Sequence, residues 1–493
     1  MTEKKLDEKK AYRRLCAVLK ADKRRSAGLT VADVTAHSAL PLSQVRELLP
    51  MAADEYSARL AVSESGEILY SFPGSFLSRY KGFAVGLKKA AGKFFRGLGL
   101  AGSFLFKVWI MLMLIGYFAL FLALALASVF ISVAGNSKNS SRRGNPFSGG
   151  LGLFDLFIRL WFYSELTKPR YGRAYPRTGQ RKQGRPLHKA IFSFVFGDDD
   201  PNKDWQLREK KSLIAYIQAN KGIISLPEYM AITGKDCTQA EEAILAFCAE
   251  FGGSPEATED GTIVYRFEEL LFRADRQDRS FGGFSPPLAA LKKFSANSKT
   301  MNVWFGIINT VNLIFGSYFL YKTINYGAIL FTDDFRVSTF YDFTYAIFSI
   351  FSHNPGPVIG IGLGLVPLVF SLLFWLIPAL RFRLTKKENN KTKTENLRRL
   401  GFNRIWSKPL AVTNKDIDSH LAECRPKKFR NAQEKVIKEM GAYSMPEVSL
   451  DEKGQTVYSF TELKREKEAL EKCRSAVREE SSQLGQLVFD TER

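Results

Sequence analysis

The sequence predicts a polytopic α-helical membrane protein in which transmembrane sections alternate with three soluble α+β modules of the winged-helix type. Three observations support this fold class. Several uncharged apolar runs reach the ~20 residues that a helix needs to cross a bilayer. One hairpin motif occurs three times, and a similar helical pattern precedes each copy. The apolar runs exclude an ordinary soluble enzyme, and the 45% content of apolar residues excludes wholesale disorder.

The apolar runs define the membrane sections. The clear runs cover residues 108–133, 303–321 and 357–380, and none of them contains a charged side chain. A weaker run covers 147–166, where an aspartate and an arginine four residues apart can pair on one helix face. We expect this run either to return through the membrane, which gives four spans, or to lie in the interface as an amphipathic helix.

The loop charges predict the orientation. Residues 167–189 and 381–408 are strongly basic, whereas residues 323–356 contain one arginine against three aspartates. Because basic loops stay on the inner side, the second and third runs form a hairpin whose short loop faces outside. With four spans, all three modules lie on the cytoplasmic or stromal side of a bacterial inner membrane or a plastid membrane. If residues 147–166 do not cross, the first module lies on the opposite side, unless the first run is itself a re-entrant hairpin.

A seven-residue pattern, Gly-x-x-(Leu or Val)-Tyr-x-Phe, occurs three times outside the apolar runs. A turn glycine followed by alternating apolar residues is typical of the second strand of a β-hairpin. A helix-cap residue lies 23 residues before each glycine, and apolar residues then recur at offsets 2, 5, 6 and 9 with one polar exception. The motif residues are Gly66, Tyr70, Phe72, Gly261, Tyr265, Phe267, Gly454, Tyr458 and Phe460, and the caps are Ser43, Thr238 and Asn431.

Further helices precede these caps. Thr30 and Ser225 each open a shorter helix 13 residues upstream in the first two copies, whereas the third copy differs around residues 413–424. A still earlier helix is expected at 10–21, at 206–220 and near 395–405. The resulting order of helix, helix and two-stranded wing predicts three winged-helix-like modules.

These patterns predict ten segments along the chain. They are module one at 1–78, a basic interfacial segment at 79–102, membrane section one at 103–166, a basic linker at 167–202, module two at 203–275, a linker at 276–300, a membrane hairpin at 301–382, a basic linker at 383–408, module three at 409–465 and a charged C-terminal tail at 466–493.

The link at 190–202 reads AIFSFVFGDDDPN. Together with the repeat, the spans and the aromatic segment at 154–163, it resembles an uncharacterised polytopic membrane protein family of cyanobacteria, plant plastids and some other bacteria. Members combine winged-helix-like modules with apolar spans, and the resemblance implies no activity. Some plant relatives have names that refer to iron–sulfur assembly, but the five cysteines here have no spacing that forms a ligand motif.

The second helix of each module is the usual DNA-binding element of a winged helix. Affinity for a polyanion requires clustered lysine and arginine on that face. Two of the three copies are acidic or mixed there, so we expect contact with a protein, or packing between the modules, and not nucleic-acid binding. The first exposed positions are Arg46 and Glu47, Glu241 and Glu242, and Glu434 and Lys435.

The second and third runs contain residues for helix packing. Gly356, Gly360 and Gly364 are four residues apart and allow a neighbouring helix to approach closely. Asn309 and Asn312 share one face of the second run. We favour hydrogen bonds between helices for these asparagines, because neither run contains an acid or a base, and the alternative is a polar lining for a transported solute.

Two charged clusters are further candidates. Asp198, Asp199 and Asp200 could bind Ca²⁺ or Mg²⁺, since clustered carboxylates suit hard cations, or could stabilise the start of the next helix. A basic interfacial helix is expected to attract anionic lipid or simply to set the topology. Its basic residues are Lys88, Lys89, Lys93 and Arg96.

The sequence contains no catalytic motif, and no cofactor is expected. The first functional hypothesis is a membrane-anchored scaffold or adaptor whose modules bind protein partners at the inner membrane face. The alternative is a small-solute transporter or channel, and the third hypothesis is a membrane-tethered nucleic-acid-binding regulator. Expected partners are anionic lipid, unknown proteins and a second copy of the chain.

Overall fold

The computed structural model describes residues 2–79, 83–135, 185–274, 285–326, 340–421, 432–452, 454–477 and 484–491. The run at 147–166 and the cap Asn431 lie outside these described residues. The chain forms two compact units. The first unit comprises Met1–Leu87, Asp200–Leu291 and Glu388–Arg493, and the second comprises Lys88–Asp199 and Lys292–Lys387.

The described helices are α1 (Thr2–Ala21), α2 (Val31–Ser38), α3 (Leu42–Glu55), α4 (Phe83–Gly135), α5 (Leu187–Phe196), α6 (Trp205–Ala219), α7 (Leu226–Thr233), α8 (Cys237–Phe251), α9 (Lys299–Tyr326), α10 (Phe340–Ser349), α11 (Pro355–Val358), α12 (Val366–Ser407), α13 (Asn414–Leu421), α14 (Ala432–Gly441) and α15 (Thr461–Ala476). A π-helical segment, Ile359–Leu365, joins α11 to α12. The described strands are β1 (Arg59–Ser63), β2 (Ile68–Ser71), β3 (Ile223–Ser225), β4 (Ser254–Ala257), β5 (Ile263–Arg266), β6 (Val412–Thr413), β7 (Glu447–Leu450), β8 (Thr456–Ser459) and β9 (Leu487–Asp490).

The first unit contains three repeats of one order: three helices followed by a β-hairpin. Repeat one is α1 to β2, repeat two is α6 to β5, and repeat three runs from the end of α12 to β8. The predicted apolar stripe of α3 is buried together with side chains of α1 and α2. The helices near 10–21, 206–220 and 395–405 are present as expected.

Each repeat has a small antiparallel sheet. In repeats two and three a short strand lies directly before α7 or α13 and pairs with the second strand of the hairpin. The strand orders are therefore β3-β5-β4 and β6-β8-β7. A single bridge between Leu29 and Tyr70 occupies this position in repeat one. There the third strand comes from the C-terminus instead, because β9 pairs with β1 on the side opposite β2.

The repeats share hydrophobic cores within the first unit. Repeats two and three form one continuous core, to which Ala39 and Leu42 of repeat one contribute. The rest of repeat one has a second core around Leu15, Leu49 and Phe72. The three repeats are therefore one compact body, and the prediction of three modules separated by linkers is wrong in this respect.

Three predicted segment boundaries are also wrong. The expected interfacial segment at 79–102 continues into the first apolar run as the single helix α4, since lysine and arginine are good helix formers. The expected linker at 383–408 is the C-terminal part of α12, where Arg399 and Phe402 are buried. The expected tail at 466–493 supplies α15, with Leu470 buried, and the added strand β9.

The second unit contains the apolar helices. Among the described residues, three helical stretches are long and apolar enough to cross a membrane: Gly99–Phe130, Lys299–Asn325 and Pro355–Ser407. They contain the predicted runs 303–321 and 357–380 and overlap the predicted run 108–133 as far as residue 130. One cluster joins α4, α5, α9 and α12 around Ile110, Phe194, Phe305 and Phe374, and another joins α4, α9 and α10 around Phe121.

Candidate functional site

The three hairpins have the same turn. Gly66, Gly261 and Gly454 have φ of 81°, 77° and 69°, a conformation that glycine adopts without steric cost. Each glycine N–H donates to the carbonyl three residues earlier, as in a three-residue hairpin loop that ends in a bulge. The motif phenylalanines Phe72, Phe267 and Phe460 are buried, and so are Tyr70 and Tyr265, whereas Tyr458 is half-buried.

The shared register makes positions of the three hairpins equivalent. Leu60 pairs with Tyr70, Pro255 with Tyr265, and Val448 with Tyr458. In repeat one, the backbone of Leu60 faces away from β2, because its carbonyl accepts a hydrogen bond from the Thr491 N–H at 3.1 Å. The equivalent Pro255 and Val448 therefore also face the outer edge of their sheets.

The three outer edges differ in how they are protected. In repeat one β9 covers the edge, and Arg59 donates two hydrogen bonds to the Asp490 carboxylate at 2.6 and 2.7 Å. In repeat two Pro255 removes the outward N–H, a common way to block an exposed edge. In repeat three no described strand pairs with the outer edge of β7.

The open edge of β7 is apolar and flanked by acids. Val448 and Leu450 are 63% and 74% exposed and lie on the same face of the strand, and Met445 before them is 84% exposed. Glu447 occupies the position that Arg59 holds in repeat one. Asp451 follows the strand. We call this surface, residues 445–451, the β7 edge.

The helices that precede the three hairpins, α3, α8 and α14, have largely polar outer faces. In α3, Arg46 forms an ion pair with Glu269 of repeat two at 2.9 Å. Glu241 and Glu242 of α8 are exposed, as are Glu434 and Lys435 of α14. The arginine of α3 thus contributes to contacts between repeats, and the acidic face of α8 is unsuited to a polyanion.

The helix caps lie earlier than the sequence predicts. The helix α3 begins at Leu42 after Pro41, so Ser43 is in its first turn and does not cap it. The helix α8 is capped by Asp236, whose carboxylate accepts the Gln239 N–H at 3.0 Å, and Thr238 is inside the helix. The aspartate extends the helix because it is two residues upstream and caps as well as threonine does.

The short helices α2, α7 and α13 each begin with a capping box. Thr30 pairs with Asp33 and Ser225 with Glu228, so both predicted helix starts are confirmed. Thr413 and Asp416 make the same reciprocal bonds in repeat three. The third copy therefore keeps the capping box. It differs from the first two copies in the longer connection after α13.

Each capping acid also contacts an arginine from another element. The Arg273 guanidinium is 3.7 Å from the Asp33 carboxylate, and the Arg404 guanidinium is 3.1 Å from the Asp416 carboxylate. These pairs connect elements that are distant in sequence. The sequence analysis missed them, although the spacing Ser/Thr-x-x-Asp/Glu identifies the three acids.

The most buried of these pairs links α15 to repeat two. Glu228 is only 2% exposed, and its carboxylate accepts hydrogen bonds from Arg474 at 2.7 and 3.1 Å and from the Tyr216 hydroxyl at 2.6 Å. Arg474 also donates to the Ile223 carbonyl at 2.9 Å. This network fixes the C-terminal helix on the body of repeats.

A second buried carboxyl lies on α15. Burial is the main cause that raises the pKa of Glu466 to about 7; the hydrogen bond from Tyr443 opposes the shift and the nearby Glu228 carboxylate adds to it. Glu466 is therefore a group of the first unit that titrates near neutral pH.

The aspartates of the link at 190–202 make hydrogen bonds to neighbouring loops. Burial raises the pKa of Asp198, but hydrogen bonds from Arg185, Ser193 and the Ala296 N–H outweigh it and hold that pKa below its usual range. The Asp200 carboxylate accepts the Asn202 N–H at 2.9 Å, as in an Asx turn.

No metal site is apparent at these aspartates. Among the described residues, no group of three or more histidine, cysteine or acidic side chains could hold a metal ion. The helix α6 is preceded by Asp204, so Asp198, Asp199 and Asp200 do not form its N-cap.

The side chain of Asn202 adds a further clamp within the first unit. Its amide donates to the Ala290 carbonyl at 2.6 Å and accepts the Ala290 N–H at 3.0 Å. Asn396 makes the same two contacts with Ala289. The expected linker at 276–300 is therefore held at these positions by two asparagine side chains.

The membrane asparagines are fully buried within the second unit. The Asn309 amide donates to the Ser371 carbonyl at 3.0 Å, and the Asn312 amide donates to the Leu114 carbonyl at 2.8 Å. Each asparagine therefore ties α9 to a neighbouring helix. This geometry suits a role in packing.

Two of the three predicted glycines lie at close helix contacts. A Cβ on Gly364 would be 2.9 Å from the Leu320 backbone, and one on Gly360 would be 2.7 Å from the Thr323 methyl. A Cβ on Gly356 would meet no atom within 4 Å. The close approach thus involves the π-helical segment and α9.

The basic residues of α4 and the cysteines are the remaining candidates from the sequence, and no role is assigned to them. The backbone of α4 includes the basic positions Lys88, Lys89, Lys93 and Arg96. The described cysteines are free thiols, and they are Cys16, Cys237, Cys248 and Cys473.

The chain is similar to an uncharacterised chloroplastic protein of Arabidopsis thaliana. The two are 24% identical over 403 residues, which cover 77% of this chain and 70% of the relative. No protein-family model matches the chain, and no solved structure matches it. The similarity fits the uncharacterised plastid and cyanobacterial family that the repeats and the link resemble.

Proposed function

We propose that the protein is a membrane-anchored scaffold or adaptor whose three repeats are winged-helix-like modules. The strand orders β3-β5-β4 and β6-β8-β7, with a helix pair before each wing, support this assignment of the modules. The apolar helices of the second unit anchor them, and the chloroplastic relative favours a plastid or cyanobacterial-type membrane.

The β7 edge is the observation on which the scaffold function rests. An open strand with exposed apolar side chains is a template for a strand from another chain. The chain itself gives the precedent, because β9 adds to the equivalent edge of repeat one. The partner is therefore a protein with an extended segment that pairs with Val448 and Leu450.

The charges of the β7 edge indicate the chemistry of that segment. Arg59 selects the acid Asp490 in β9, whereas repeat three has Glu447 at the same position. The incoming strand should then place lysine or arginine opposite Glu447, with apolar residues on alternate positions. The β9 strand of a second copy would instead bring Asp490 to Glu447, which like-charge repulsion disfavours.

The compact first unit also bears on orientation. Repeats one and two share a core, which supports a topology with both ends of the intervening section, Lys88–Asp199, on the same side of the membrane. In that topology this section crosses an even number of times, and so does Lys292–Lys387. Accessibility labelling of single cysteines at Ser57 and Thr258 should therefore give the same sidedness, which basic flanks place at the inner face.

The other two hypotheses have less support. Transport would require Asn309 and Asn312 to face a path, and both side chains are fully buried with their amides bonded to backbone carbonyls. Nucleic-acid binding would require a basic second helix, and α8 exposes Glu241 and Glu242 there.

The test compares Val448→Pro with Val448→Thr in the full-length protein. Proline removes the outward N–H, and Pro255 shows that a wing of this type tolerates it at the equivalent position. Threonine keeps the N–H and is a good strand former. After purification from native membranes in mild detergent, quantitative mass spectrometry should show a partner retained by Val448→Thr and reduced about tenfold or more by Val448→Pro. Equal partner levels in both variants would refute the role of this edge.

A further inference from the structure

The second unit contains an apolar groove that the scaffold function does not use. Its cavity volume is about 550 Å³, and all its lining side chains are aliphatic or aromatic or come from methionine. Trp109 and Met113 of α4, Phe196 of α5, and Val369 and Leu373 of α12 are among them. All the lining residues of these helices lie in the second unit.

The dimensions of the groove limit what it can hold. Its lining on the third apolar stretch extends from Leu365 to Ile377, which is about 18 Å at ~1.5 Å per residue. Spread over that length, its volume gives a mean cross-section of about 30 Å². The groove is therefore long and wide enough to hold a single extended hydrocarbon chain.

One end of the groove is cationic. Lys107 follows the lining residue Phe106, and its Nζ lies 4.7 Å from the ring centroid of Phe192. The Phe192 ring is 4.8 Å from that of the lining residue Phe196. Lys107 is thus close to the groove wall and extends a positive charge beside it.

Two arginines extend the positive charge beside α5. Arg381 lies one turn after the lining residue Ile377, and it donates to the Phe194 carbonyl, which places it beside α5. The Arg185 guanidinium pairs with Asp198 just after α5.

We propose that this groove binds one hydrocarbon chain of an anionic membrane lipid, with the lipid phosphate at Lys107, Arg185 and Arg381. An apolar lining offers no partner to a polar solute, whereas hydrocarbon fills it without loss. Phosphate oxygens are good acceptors for arginine donors. Charge complementarity at the groove end therefore selects an anionic headgroup over a neutral one.

The test measures lipid retained by the full-length protein. The protein in mild detergent is mixed with equal amounts of phosphatidylglycerol and phosphatidylcholine, purified again, and examined by native mass spectrometry. The wild type should retain one phosphatidylglycerol per chain, about tenfold in preference to phosphatidylcholine. Retention of both lipids in equal amounts would overturn the assignment of an anionic headgroup.

Matched variants locate the lipid. Val369→Trp fills the groove and should abolish retention, whereas Leu372→Trp changes an exposed residue of the same helix outside the groove and should not. Met113→Trp fills it from the opposite wall and should act like Val369→Trp, with unchanged thermal unfolding as the fold control. Equal retention by Val369→Trp and Leu372→Trp would refute the site.

The headgroup contact is tested separately. Lys107→Gln should lower the preference for phosphatidylglycerol about fivefold, since a basic residue near an anionic lipid contributes about that factor. Arg383→Gln, an exposed position on α12, should leave the preference unchanged. Added inorganic phosphate tests whether the site recognises a free anion instead of a lipid. Phosphate would displace phosphatidylglycerol only if the headgroup alone were bound. Loss of phosphatidylglycerol to phosphate would overturn the proposal of a lipid.

Discussion

Removal of Arg474, the arginine of α15 that pairs with buried Glu228, is the sharpest test of the compact first unit. In Arg474→Met, a side chain of similar length keeps the packing but loses the guanidinium. Glu228 would then be a carboxylate at 2% exposure with only the Tyr216 hydroxyl and the Ser225 backbone as donors.

The magnitude follows from this burial. Loss of one partner of a buried ion pair costs about 3–5 kcal/mol, because the remaining charge stays desolvated. The hydrogen bond from Arg474 to the Ile223 carbonyl is lost as well. We therefore expect the free energy of unfolding to fall by at least about 3 kcal/mol.

The assay is denaturant unfolding of the purified protein, followed by the fluorescence of the tryptophans in the first unit. Lys472→Met is the matched control on the same helix, because Lys472 is 75% exposed and its ion pair with Asp260 is at the surface. A surface pair of this kind contributes about 0–1 kcal/mol.

Two results would refute the reasoning. One is an Arg474→Met variant as stable as Lys472→Met, which would mean that α15 does not depend on Glu228. The other concerns the double variant Glu228→Gln with Arg474→Met. It should recover part of the lost stability, since no buried charge remains, and additive losses would contradict the coupling.

Two further predictions concern other buried groups. Because the folded protein holds a proton on Glu466 up to about pH 7, against 4.5 for an ordinary glutamate, stability should fall as pH rises from about 4.5 to 7. Glu466→Gln should remove this loss, on the order of 3 kcal/mol at pH 8, in thermal unfolding at pH 5 and 8, and the exposed Glu468→Gln should not. In the second unit, Gly364→Ala should cost about 1–3 kcal/mol because its Cβ would lie 2.9 Å from the Leu320 backbone. Gly356→Ala should be nearly neutral in the same melting experiment, and equal effects would contradict the close contact.

Much of the fold is visible in the sequence because it depends on local patterns. The apolar runs predict the three membrane helices by length and composition alone. The glycine of each hairpin is predictable because the turn requires positive φ, and the phenylalanine because it alternates with exposed positions. These signals need no knowledge of distant contacts.

The errors come from contacts between distant segments. Nothing local indicates that β9 pairs with β1 or that Arg474 reaches Glu228, since these residues are hundreds of positions apart. Charge predicts a basic linker at 383–408, but lysine and arginine extend a helix as readily as they solvate a loop, and this segment continues α12. The predicted caps lie two residues too late, because α3 begins directly after Pro41, which has no capping side chain, and Asp236 caps α8 upstream of Thr238.

The candidate site was only partly predictable. The repeat identifies the wings, and a comparison of their first strands shows that Pro255 protects one edge while Val448 leaves the equivalent edge open. The third edge required the structure, because only the pairing of β9 shows that such an edge accepts a strand.

Site-specific photo-crosslinking on the wings tests the central claim most directly. A photoreactive phenylalanine analogue replaces Leu450 on the β7 edge in one variant and the equivalent Ala257 of the proline-protected edge in the other. The account predicts a crosslink to one protein partner from position 450, lost when Val448→Pro is added, and none from position 257. The same crosslinks from both positions, or a crosslink from 450 that persists with Val448→Pro, would contradict it.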